Sequence, residues 1–229
     1  IKMARQLYMR SAMLLLVGLL LTWAVQAQDV VATGVVRTWL PMTGGAWTNP
    51  ANWSGNALPV SGDDIVINTN QSAAITAVPT LTVNNLTVTG TCSLEGPATA
   101  NSLTVNGSFS LSAGVTMTLG NNKITLLFGP SSTASIQGVL SSTNDITCNN
   151  DMAIGPNGYI SGMGRFFVNA GATLRIGSVN GIVTGNAASG NIQTTGARNY
   201  NPGANFVYNG VSPQNTGDGY PTALTGSLT

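Results

Sequence analysis

The 229-residue chain contains no histidine. That excludes Ser-His-Asp and Cys-His nucleophilic machinery, histidine-ligated metal sites and an imidazole general base. Charge is scarce too: Lys, Arg, Asp and Glu together make up 7% of residues, against about a quarter in an ordinary domain. Helix formers such as Glu, Lys, Arg and Gln are few, and no stretch after residue 28 carries a helical apolar period. A Gly-rich phosphate loop therefore has no helix to open. Low charge signals disorder only when hydrophobicity is also low, and here 43% of residues are hydrophobic, enough for a core. Cysteine is limited to Cys92 and Cys148, in the strand-like contexts "TGTCSL" and "DITCNN". Both read as small buried thiols, although an exported protein would permit them to pair.

The little positive charge is unevenly placed. Lys2, Arg5 and Arg10 precede "SAMLLLVGLLLTWAVQA", which ends at Ala27. A basic start, a short apolar run and a small-x-small ending describe a secretory signal peptide over residues 1–27, cleaved after Ala27. The apolar run Ala12 to Val25 has 14 residues, short of the ~20 a membrane span needs. Ile1 and Lys2, ahead of Met3, read as upstream of the native start. Removing the leader leaves five basic against seven acidic residues, a net charge of −2. The mature chain is expected to be secreted, with no membrane span and no basic patch for nucleic acid.

What is abundant is alternation. "IVI", "LTV", "LTV", "SLTV", "FSL", "MTL" and "ITLLF" alternate apolar residues with Thr, Ser or Asn from Asp64 onward, punctuated by Gly, Asn and Pro. Near-copies recur: "LTVTGTCSL" (86–94) with "LTVNGSFSL" (103–111), 17 positions apart, and "AGVTMTLG" (113–120) with "AGATLRIG" (170–177). "STASIQG" (132–138) and "NGYISGMG" (157–164) are looser versions. Repeats of about 17–25 residues carrying two or three short strands suit one coil of a parallel β-solenoid, whose coils bury their apolar faces only by stacking. A β-sandwich would also show short alternating strands, but it lacks this repeat and needs regular hairpin turns. The expected solenoid spans residues 64–190.

Two flanking stretches differ from the rungs. After a linker at 28–37, residues 38–67 form an expected Trp-rich cap holding Trp39, Trp47 and Trp53. Within it, "WTNPANWSGNALPVSGDDIVI" (47–67) resembles the opening segment of large secreted β-helix cell-surface proteins of Bacteroidota, which are similar to autotransporter adhesins. "GNIQTTGARNYNPGANFVYNGVSPQNTGDGYP" (190–221) resembles a second module of the same proteins. The resemblance covers about a quarter of the chain. It implies a right-handed parallel β-helix, export, and a role in adhesion or surface structure. "PTALTGSLT" (221–229) echoes "PTLTVNNLT" (79–87), so residues 190–229 read as a second β module cut short, in an N-terminal piece of a longer protein.

Few residues offer chemistry. Asp63-Asp64 is the only adjacent carboxylate pair, a candidate for calcium with nearby carbonyls and for a polysaccharide-cutting site. Successive strand residues face opposite sides, however, so the pair reads better as a turn cap. Trp39, Trp47 and Trp53 are candidates for stacking on sugar rings, but their clustering beside the first rung favours a hydrophobic cap. Tyr200, Phe206 and Tyr208 likewise read as local packing. The Asn pairs at 84–85, 121–122 and 149–150 suit hydrogen-bonding ladders between coils. Thr spacing is too irregular for an ice-binding face. The chain therefore reads as a non-enzymatic, extracellular structural or adhesive module that needs no cofactor. Its expected partners are surface glycans or other cell-surface proteins, with self-association through an open solenoid end. The alternatives are a carbohydrate-binding module and a polysaccharide-active β-helix enzyme.

Overall fold

A computed structural model describes residues 34–120, 124–184 and 189–229. The expected signal peptide, most of the linker and the Asn121–Asn122 pair lie outside these residues. Strands β1 (Val36–Thr38) and β2 (Gly45–Ala46) form a partial first turn. Six full rungs of three strands follow. They are β3 (Asp64–Ile67), β4 (Ile75–Thr76) and β5 (Leu81–Val83); then β6 (Leu86–Val88), β7 (Cys92–Leu94) and β8 (Asn101–Val105). The third rung is β9 (Ser108–Leu111), β10 (Thr116–Leu119) and β11 (Ile124–Phe128). The fourth is β12 (Thr133–Ile136), β13 (Val139–Ser142) and β14 (Ile146–Cys148). The fifth is β15 (Asp151–Ile154), β16 (Tyr159–Gly162) and β17 (Phe166–Val168). The sixth is β18 (Thr173–Ile176), β19 (Ile192–Thr194) and β20 (Arg198–Tyr200), and β21 (Asn205–Tyr208) begins one more.

Every third strand pairs in parallel with the one a coil later, giving three sheets. Sheet I has eight strands, from β1 and β3 to β21; sheet II has seven, from β2 to β19; sheet III has six, from β5 to β20. The molecule is thus a parallel β-solenoid. Partners in sheet I run Ile65, Leu86, Phe109, Ala134, Met152, Leu174 and Phe206, so coil length varies from 18 to 32 residues. The 17-residue repeat is not a coil. Leu86 opens β6 on sheet I, whereas Leu103 lies in β8 on sheet III and pairs with Leu81 and Leu126. The repeated unit is one strand–corner–strand, used at different corners of the triangle.

Alternation explains the packing. The sheet I column just named is buried along its whole length. So is Cys92, Met117, Leu140, Ile160 and Ile192 in sheet II. Between them, Thr87, Ser110 and Ser135 face outward on sheet I, and Ser93, Thr118, Ser141 and Ser161 on sheet II. Each fully buried Leu, Ile or Phe contributes about 1.5–3 kcal/mol, and stacking at about 4.8 Å makes these columns continuous. Asn recurs at the corner between sheets III and I. The backbone amides of Asn84, Asn106, Asn149, Asn169 and Asn201 each donate to a carbonyl one coil earlier. Asn169 Nδ2 also donates to Asn149 Oδ1 at 2.6 Å, one link of a side-chain ladder.

The N-terminal turn is closed by the tryptophans. Between β2 and β3 the chain makes two 3-10 turns, Pro50–Asn52 and Ser54–Asn56, instead of a third strand. Asn49 starts the first, its side-chain oxygen accepting from Ala51 N, with Pro50 suited to the opening position. Trp53 packs edge-on against Trp39 and Trp47, with ring centroids 5.1 and 4.5 Å apart. At the other end, residues 190–208, read from sequence as the opening of a second module, supply β19, β20 and β21 and stack on the preceding rung. Among the described residues no helix is long and apolar enough to cross a membrane.

Candidate functional site

Asp63 and Asp64 diverge, as strand alternation requires. The buried Asp63 carboxylate accepts from the amides of Val35 and Val60, both at 3.0 Å, and pairs with Arg37 Nε at 3.3 Å. It ties the first turn to β3. Asp64 Oδ1 accepts instead from Asn84 Nδ2 and Asn85 Nδ2, each at 2.8 Å, in the next coil. The other acids stand apart: Asp145 pairs with Arg165 at 2.5 Å and Asp151 with Arg175 at 2.8 Å, both on the outer surface. Among the described residues no three His, Cys, Asp or Glu side chains gather to hold a metal ion.

A sugar-stacking role for Trp39, Trp47 and Trp53 requires an exposed ring face. The structure places all three at 0–1% exposure, with Trp53 Nε1 donating to Trp47 O and Trp39 Nε1 to Gln71 Oε1. Tyr200 packs edge-on against Phe206, and Tyr220, unremarked in the sequence, links Phe206 to Tyr208 in a chain of edge-on rings. Cys92 and Cys148 are separate buried thiols on different sheets and two rungs apart; burial pushes both up to about 12.

A polar site emerges at the C-terminal end of the solenoid. The inward sheet II column that starts Ile75, Leu94, Leu119 turns polar at Ser142 and ends in Gly162 and Thr194. The inward sheet III column that runs Leu81, Leu103, Leu126, Ile146, Phe166 ends in Arg198. On the last rung both of these inward columns are polar, at Thr194 and at Arg198. A cleft of about 470 Å³ opens there, lined by Thr194, Thr195, Arg198 and Tyr200, with Thr184 and Pro221 among the residues that complete it.

The coil from β18 to β21 is the longest, and its excess lies between Ile176 and Ile192, which brings Thr184 to the cleft. The C-terminal segment docks on this insertion: Asn215 N donates to Val179 O and Gly219 N to Ile182 O. Arg198 donates through Nε and Nη2 to Thr194 O, at 3.3 and 3.0 Å, and through Nη1 to Val183 O. Asp218 accepts from Thr184 Oγ1 at 2.6 Å and Thr184 N at 2.7 Å. Those two bonds, with help from the Arg198 charge, hold the Asp218 carboxyl below its ordinary range. The hydroxyls of Thr194 and Tyr200 are buried and have no hydrogen-bond partner among the described residues. Burial raises the Tyr200 phenol above its ordinary value.

None of these cleft residues except Tyr200 drew notice in the sequence. The available signal was "ARNY", where Arg198 occupies the place that "LTV" fills with Leu elsewhere. No protein-family profile, curated protein or solved structure matches the chain.

Proposed function

We propose that this chain is a non-enzymatic structural and adhesive module of a secreted cell-surface β-helix protein, of the autotransporter-adhesin kind that residues 47–67 and 190–221 resemble. The observation that carries the reading is the outer surface. The short side chains of Thr87, Ser110 and Ser135 stack in register over three consecutive coils on a largely apolar interior. Such a surface spaces and presents contacts along a rod. Asp63, Asp64, Asp145, Asp151 and Asp218 lie on different corners and faces, each engaged by a protein donor, rather than facing one another across a groove. The basic and apolar pattern of residues 1–27 supports export.

The test pairs adhesion with turnover. Beads carrying the purified chain should be retained on glycan- or cell-coated surfaces, while a polysaccharide panel incubated with it should release no new reducing ends. Sustained release of reducing ends would overturn the reading. Mass analysis of the exported chain should place its new N-terminus at Gln28.

A further inference from the structure

The adhesive reading leaves open what is gripped and where. We infer that the cleft at the C-terminal end of the solenoid binds an uncharged sugar ring, one residue of a neutral glycan. The inference rests on the adhesive reading and assigns it a site.

The cleft volume, about 470 Å³, falls within the range of small-ligand pockets. The charges at and behind its wall are answered within the protein. Arg198 donates to the carbonyls of Thr194 and Val183. Asp218, behind Thr184, accepts from the Thr184 hydroxyl and amide and lies within the influence of the Arg198 charge. An anion entering the cleft would meet a guanidinium already bonded to carbonyls, with a carboxylate close behind. A cation would find no acid among the lining residues. Either would give up its hydration without a free counter-charge to replace it.

What the cleft leaves unmade is uncharged. Thr194 is 3% exposed, and its hydroxyl has no hydrogen-bond partner among the described residues; nor has the buried hydroxyl of Tyr200. A buried polar group in that state is costly, and a ligand hydroxyl can answer it as donor or as acceptor. Thr184 and Thr195 stand exposed at the rim, and their hydroxyl oxygens keep lone pairs for further donors. Tyr200 and Pro221 add apolar surface, which suits the C–H face of a sugar ring. A purely apolar ligand would leave the two buried hydroxyls as they are. A neutral ring that carries several hydroxyls on an apolar frame matches both kinds of wall.

The experiment titrates the exported full chain by calorimetry with neutral hexamers of glucose, mannose and N-acetylglucosamine, and with oligoglucuronate of equal length. At least one neutral hexamer should bind saturably and at least tenfold more tightly than oligoglucuronate. Raising salt tenfold should change that affinity by less than about twofold, because screening acts on charges. Tyr200→Phe removes a hydroxyl that has no partner and keeps the ring, so its thermal midpoint should hold while affinity falls about three- to tenfold, the loss of one hydrogen bond between uncharged groups. Thr194→Val should behave alike. No binding of any neutral hexamer would overturn the site and leave its hydroxyls to water. Equal or tighter binding of oligoglucuronate, or a steep loss of affinity in salt, would overturn the ligand class. Undiminished affinity in both variants would place the sugar elsewhere and overturn the site. Bead adhesion measured alongside separates the two levels: adhesion that persists when no neutral hexamer binds strikes the cleft and leaves the adhesive reading standing.

Discussion

Replacing Asp63 by alanine removes the carboxylate that gathers the amides of Val35 and Val60 and the guanidinium of Arg37 into the first full rung. The side chain is 4% exposed and that of Arg37 is 17% exposed, so the pair sits where water cannot replace the lost contact. Breaking such a pair leaves a poorly compensated charge and two amides without their acceptor, a loss of about 3–5 kcal/mol. For a chain of this length that corresponds to a fall in thermal midpoint of roughly 6–20 °C. Asp64→Ala is the internal comparison. Its carboxylate is half-buried and serves the side-chain amides of Asn84 and Asn85, which can turn to solvent, and more weakly the Asn85 backbone amide at 3.2 Å, so about 1 kcal/mol is expected. Tryptophan emission during urea unfolding is the assay, because Trp39, Trp47 and Trp53 all sit in the cap that Asp63 ties down. A solenoid couples each coil mainly to its neighbours, so the cap should melt ahead of the later rungs in Asp63→Ala. Equal midpoints for the two variants, or an Asp63→Ala loss under about 0.5 kcal/mol, would refute the reasoning.

Other perturbations test the remaining parts of the fold. Cys92 and Cys148 keep their protons to about pH 12 when folded, against a usual value of 9.0, so folding favours the neutral thiols. Their contribution is complete below pH 9 and disappears as pH rises toward 12. Alkaline unfolding of Cys92→Ala/Cys148→Ala should therefore show a shallower slope over that window, and an unchanged slope would contradict the burial argument. Gly162 has φ +102°, and an added Cβ would lie 2.1 Å from Ser142 O, whereas Gly171, at φ +78°, has open space around that point. Gly162→Ala should cost about 3 kcal/mol or more and Gly171→Ala about 1–2, measured by chemical denaturation. The reverse order would place the clash wrongly. Arg165→Ala removes an exposed pair with Asp145 and a contact over Phe167, and should change stability by less than about 1 kcal/mol, a difference that added salt should shrink further.

The stacked architecture was legible because period-2 alternation needs only Leu-Thr-Val runs and turn residues, both local properties. Divergence of Asp63 and Asp64 followed from the same alternation, and clustering of three tryptophans beside the first strand announced a cap. Coil length was not legible. Leu86-Thr87-Val88 and Leu103-Thr104-Val105 are identical in sequence yet lie on sheets I and III, because an inward-outward pattern carries no mark of which sheet it serves. The cleft was hidden for a related reason. Thr184 and Asp218 meet across 34 positions only because the last coil is long, and Arg198 reads as one more polar residue until its partner Phe166 identifies the position as inward.

The unequal coils carry a consequence for how such a molecule diversifies. From β12 to β13 the chain passes from Ile136 to Val139, while the same corner between β18 and β19 runs from Ile176 to Ile192, yet the strands on either side stay in parallel register. Extra residues at that edge leave the strand register intact and find their own contacts: Ile182 joins the buried core, and Asn191 Nδ2 donates to Gly155 O and Gly158 O of the preceding coil. Loops can therefore lengthen at that edge without re-registering the three sheets, provided that they bring contacts of their own to the coil beside them.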